Sequence, residues 1–145
     1  MKKAIVSFVL SLMFPLVLFA DGYTSLWKQY NEAETKDLPK TQIKILNKII
    51  AQAKAGKSYG NLLKAEFDKV ATAFGISDEL FQSELSALKK AAGEASAVDP
   101  ALAAVYNCAL GCSYSLVAKS YYKSDSKKLS REYFDKALAD PEMLA

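Results

Sequence analysis

The chain predicts an all-α fold, and three observations carry that reading. Alanine, leucine, lysine, glutamate and glutamine dominate, apolar residues recur at helical spacing, and no run of alternating β-branched residues is long enough for a strand. Glycine is sparse and the prolines fall at segment edges, where helices start or stop. With 51% hydrophobic and 11% aromatic residues the chain can build a real core and is not disordered.

The first twenty residues stand apart from that domain. Met1-Lys2-Lys3 gives a positive start, Ala4 to Phe19 runs without a charge, and Ala20 precedes Asp21-Gly22. Those are the three parts of a secretory signal peptide. Pro15 breaks the apolar run late, which helps present a cleavage site, although Leu18 is larger than the residue favoured at its position. No cysteine follows the run, so it is not a lipoprotein signal. As an uncleaved anchor it is short and interrupted. The expectation is a signal peptide at 1–20 and a helical domain at 21–145. That domain is exported to the periplasm or cell envelope of a bacterium, or secreted, with no integral membrane span after cleavage.

Within the domain, the first helix is expected from about Tyr23 to Thr35, with Thr24 as N-cap and Leu26, Trp27, Tyr30 and Ala33 on its buried side. Asp37 can cap the second, with Pro39 in its first turn, Ile43, Leu46, Ile50 and Ala53 inward, and Gly56 at its end. The third starts near Ser58; Tyr59, Leu63, Phe67, Val70 and Phe74 form its stripe and Gly75 stops it. Ser77 caps the fourth, Asp78 and Glu79 suit the helix dipole, Phe81, Leu85, Leu88 and Ala92 face the core, and Gly93 marks the exit. Asp99-Pro100 opens a long fifth helix to about Tyr122, rich in small residues that let a neighbour approach closely. Lys123 to Lys128 reads as a loop, and a last helix runs from about Leu129 to Ala139 before Asp140-Pro141. Six helices joined by short turns pack as antiparallel hairpins, either as a bundle or as a short right-handed stack. Leu110-Gly111-x-x-Tyr114 and Phe134-x-x-Ala137 followed by Pro141 resemble parts of the tetratricopeptide unit, without a countable repeat.

Composition excludes several kinds of chemistry. Without Lys2 and Lys3 the formal charge of +3 falls to about +1, and the basic residues are scattered, so the chain is not built for nucleic acid. It contains no histidine, which removes His-based nucleophile activation, His general bases and nearly every common zinc site. There is no phosphate loop, nucleophile elbow or metalloprotease helix. Asp78-Glu79 are explained by capping, Glu66 and Asp68 point different ways on a helix, and Glu84, Glu94 and Glu132 read as solvated faces among lysines. No catalytic, cofactor or metal site is expected, and the chain is not expected to be an enzyme.

Two groups of residues remain as candidates. Cys108 and Cys112 lie four apart, on one helix face, in a compartment where disulfides form. Their Cβ spacing of about 5–6 Å exceeds the roughly 3.5–4.5 Å of an unstrained bridge. They are two small buried residues at a tight interface, a strained redox pair, or a bridge to another chain. Trp27, with Tyr23 and Tyr30, either seals the first helix or forms an aromatic partner surface. Tyr114, Tyr121 and Tyr122 raise the same alternative, the last two beside the Lys/Ser stretch.

Several stretches, in order and spacing, resemble a known family: Leu26-Trp27-Lys28-Gln29; Lys36-Asp37-Leu38-Pro39-Lys40-Thr41 through Ile43, Leu46 and Ile49; Lys57 to Glu66; Asp99 to Tyr106 with Leu110-Gly111; and Tyr133 to Pro141. The chain resembles the N-terminal helical segment of large bacterial alpha-2-macroglobulin-like envelope proteins. The resemblance implies the leading piece of a protease-trapping protein. Yet neither cysteine is followed by the Gly-Glu-Gln of a thioester, and no bait region or β-sandwich is present. What it leaves is scaffolding or docking, with a protein or peptide partner or the remainder of a longer chain. The other reading is a self-contained tetratricopeptide-like adaptor that binds an extended peptide.

Overall fold

A computed structural model describes residues 22–119 and 124–140, and the described residues are almost entirely helical. Segment 1–20, expected from the sequence to be a signal peptide, lies outside them. α1 covers 22–35, followed by α2 (Pro39–Ala55), α3 (Tyr59–Ile76), α4 (Asp78–Ala95), α5 (Pro100–Lys119) and α6 (Ser124–Ala137). The all-α fold of six helices predicted from the sequence is the fold found.

Local chemistry accounts for most boundaries. Ser77 is the only residue between α3 and α4, and its extended backbone and Oγ, which accepts from the Leu80 N–H at 3.1 Å, start α4. Removing that acceptor strands a helix-end donor, so Ser77→Ala is expected to cost about 1 kcal/mol. The check is a lower denaturation midpoint with unchanged m-value. Asp99 opens α5 in the same way, its Oδ1 accepting from the Leu102 N–H at 3.1 Å, with Pro100 at the first helical position.

The other two turns work differently from the expected side-chain caps. Thr24 lies inside α1, and Leu38, not Asp37, is the residue before α2, with no capping side chain. Asp37 and Lys57 take left-handed backbone at φ 52° and 51°. In each turn the next residue's N–H reaches back five residues, Leu38 to the Ala33 carbonyl and Ser58 to that of Ala53, both at 2.9 Å. This is the paired carbonyl closure of a Schellman turn, and it stops α1 and α2 without a glycine in the left-handed position. Gly56 sits one residue earlier, with φ −87°. Helix ends also run past the expected glycines: α3 continues beyond Gly75 to Ile76, and α4 beyond Gly93 to Ala95. Lone glycines did not outweigh continuing apolar periodicity. The stretch read as a loop is helical from Ser124 onward, and α6 ends at Ala137 rather than Ala139. Ser126 and Ser130 are buried, so serines there serve packing, not a turn.

Helices touch in sequence order, and α3 also packs on α5. One cluster joins α1, α2 and α3 through Tyr30, Ala33, Ile45, Leu46, Ile49 and Ala65. A larger one joins α3 to α6, with Val70, Phe81, Leu85, Leu88, Leu110 and Tyr114 among its members. The inward face of α2 is centred on Gln42, Ile45, Leu46, Ile49 and Ala53, with Ile43 and Ile50 only half-buried at its flanks. α3 is crowded by neighbours, so its fully buried positions include Ala65 and Ala73, while Tyr59, Leu63, Phe67 and Phe74 are half-buried.

α5 is the central rod, in contact with α3, α4 and α6. Its stretch Pro100–Ala118 has mean hydropathy 1.4, long and apolar enough to cross a membrane, and 56% of it is buried in the fold. The close approach expected of its small residues is real. A Cβ on Gly111 would lie 2.7–2.9 Å from the Phe134 ring of α6, and Ser130 Oγ donates to the Gly111 carbonyl at 2.8 Å.

Candidate functional site

An apolar cleft lies where α3, α5 and α6 converge. Tyr59, Gly60 and Leu63 come from the start of α3, Ala104, Val105 and Cys108 from α5, and Phe134, Ala137 and Leu138 from the end of α6. Its volume is about 310 Å³, room for about ten waters at their liquid volume. Small residues create it. Gly60 meets nothing within 4 Å where a side chain would stand, and Ala104 leaves α5 without bulk at the same level. Leu138 at the rim is 60% exposed. The lining side chains other than Cys108 carry no charge, and water in such a space finds few partners, so an apolar group entering it is favoured.

Cys108 is the cleft's reactive group. Both cysteines are free thiols and half-buried. The Cys112 thiol donates to the Cys108 sulfur, which lowers the Cys108 pKa to about 7 against the opposing effect of burial. The same bond and burial raise that of Cys112. The two small residues of the tight helix face are therefore also an interacting thiol pair.

The aromatic candidates divide. Tyr30 is buried, 6% exposed, with Trp27 edge-on at 5.7 Å. Burial, then the charge of Asp68, pushes the Tyr30 phenol up. Trp27 is half-buried; its Nε1 donates to Asn61 Oδ1 at 2.7 Å, and Lys64 Nζ sits 4.0 Å from its ring centroid. These contacts tie α1 to α3. An open depression of about 640 Å³ lies beside Trp27, but its lining residues all belong to α1 except Lys36, which directly follows it. One helix face does not enclose a ligand. Tyr114 is also core, 8% exposed, stacked on Tyr133 at 5.6 Å with Lys89 Nζ 5.3 Å away. Tyr30 and Tyr114 thus hold helices together instead of lining an open face. Tyr121 and Tyr122 lie outside the described residues.

Sequence reasoning passed over Glu66. It lies one turn from both Leu62 and Val70, a signal that it leans toward the buried side of α3. Desolvation first, and the negative charge of Glu84, raise its pKa to about 7, while Lys69 and Lys54 oppose the shift. Glu84 is not an ordinary solvated carboxylate either. It pairs with Lys69 at 2.9 Å, both side chains less than a fifth exposed, and links α3 to α4. Among the described residues no group of three or more His, Cys, Asp or Glu side chains is placed to hold a metal ion.

The chain matches no family model, no curated protein and no solved structure with which it was compared.

Proposed function

We propose that this chain is a non-enzymatic interaction module, exported to the bacterial envelope, whose cleft between α3, α5 and α6 receives a short apolar segment of a partner protein. The observation that carries this reading is the cleft itself: about 310 Å³, walled mostly by apolar side chains from three helices, with exposed Leu138 at its rim. That space fits two or three aliphatic or aromatic side chains, the usual anchors of a peptide on a helical surface. Export rests on the charged, apolar and small-residue order of residues 1–20. The likeness to the helical segment of alpha-2-macroglobulin-like envelope proteins rests on the sequence stretches alone.

A tetratricopeptide-like adaptor is the second reading, and one observation favours it. α1 contacts α3 through Trp27 and Asn61, and α3 packs on α5, so alternate helices follow one another as in stacked hairpins. The burial of Tyr30 and Tyr114 counts against a tyrosine-lined peptide face.

Gly60 makes the proposal testable. A photoreactive residue at Leu138, in chain expressed with its own N-terminus, is expected to give one defined protein adduct in the envelope fraction. Gly60→Trp fills the cleft from an open position, so the adduct should vanish while helicity and Tm hold. Equal cross-linking by both proteins, or an adduct confined to the cytoplasm, overturns the reading.

A further inference from the structure

Cys108 and Cys112 sit one turn apart on α5, both half-buried free thiols on one helix face. Cβ atoms at this spacing are about 5–6 Å apart, too far for an unstrained S–S bond, which wants about 3.5–4.5 Å. A bridging cation has no such difficulty. Metal–thiolate bonds run about 2.3 Å, so a linear sulfur–metal–sulfur unit spans about 4.6 Å. Two thiols a turn apart reach that by side-chain rotation, with α5 left intact. The spacing that opposes oxidation is the spacing that a two-coordinate ion requires.

The donor set then selects the ion. Thiolates prefer soft cations. The chain has no histidine and no third cysteine, and no larger group of ligands is assembled among the described residues. Four-donor zinc binding is therefore not on offer. A closed-shell d10 ion content with two sulfurs is.

We propose that Cys108 and Cys112 together bind one soft monovalent cation of the copper(I) class as a linear bis-thiolate. The reaction is ligand exchange without electron transfer. Two sulfur–metal bonds form as the Cys108 and Cys112 S–H bonds break, and the two protons leave to solvent.

Silver(I), which needs no reductant, is the probe. Titrating the reduced full chain is expected to give one silver per chain by native mass spectrometry, with a near-ultraviolet thiolate-to-metal band. Calorimetry in buffers of different ionisation enthalpy should report protons released as silver binds, up to two per chain. Cys108→Ser and Cys112→Ser should each weaken binding at least about 100-fold; alanine replacements serve if serine disturbs the helical circular dichroism. Zinc should form no one-to-one adduct. Silver binding as tightly to either single-thiol variant, or two silvers per chain, one on each sulfur, overturns the proposal. Gly60→Trp leaves both thiols in place, so the metal result stands or falls separately from that on the cleft.

Discussion

Gly111→Val is expected to remove about 3 kcal/mol of stability, a fall of roughly 12 °C in Tm for a domain of this size. The cause is a single contact. A Cβ at this position would stand 2.7–2.9 Å from the Phe134 ring, including its Cγ, which lies close to the α6 backbone. Relief therefore requires α6 to retreat or Phe134 to change rotamer, and a retreat also stretches the Ser130 bond to the Gly111 carbonyl. Gly111→Ala is milder: overpacking costs about 1–3 kcal/mol, while helix propensity returns about 1. Truncating the opposing ring provides the control. In a Phe134→Ala background, Gly111→Val should cost under about 1 kcal/mol. An equal loss in both backgrounds would show that the close approach is not what Gly111 serves.

Glu66→Gln is the second large effect, and its sign depends on pH. The folded carboxyl has a pKa of about 7 against an ordinary 4.5, chiefly because burial disfavours its charge. A raised carboxyl pKa means that the folded state holds the proton more tightly. Its favourable contribution is full below pH 4.5, falls as the unfolded chain ionises, and is gone above pH 7. The span is about 2–3 kcal/mol, since partial exposure screens the shift. Glutamine keeps the shape without the charge. The variant should match the parent at pH 4.5 and exceed it by about 2–3 kcal/mol at pH 8, read from urea denaturation at both values. A parallel pH dependence in the two proteins would sink this account.

Much of the architecture was legible because one-dimensional signals suffice for it. Phe81, Leu85, Leu88 and Ala92 are the core face of α4, and Ser77 and Asp99 cap the helices that they were expected to cap. Such features depend on residues within a turn or two of each other. What failed depends on a third dimension. Asp37 and Lys57 in left-handed turns carry no compositional mark, because backbone closure does the work elsewhere given to a cap or glycine. Lys123 to Lys128 has loop-like composition, yet Ser126 and Ser130 are buried, and the Ser130 hydroxyl finds a carbonyl on another helix. The thiol pair was visible in the sequence, but its contact with an apolar cleft was not. That cleft arises from Gly60 on α3 facing residues more than forty positions away.

α5 owes its place to its neighbours alone. Ser113, its fully buried hydroxyl, is satisfied within the helix by the Ala109 carbonyl at 2.7 Å. Ser113 therefore brings no unmet polar need to the rod, and Pro100–Ala118 is apolar enough by length and composition for hydrocarbon, with Asn107 its one amide side chain. α6 leaves the ribosome after α5, so the Gly111 side of α5 waits uncovered until α6 arrives. During that interval two solvents compete for one segment, and weakening the α5–α6 seam prolongs the contest. Loss of that seam would strand the polypeptide at a bilayer instead of leaving it merely unfolded.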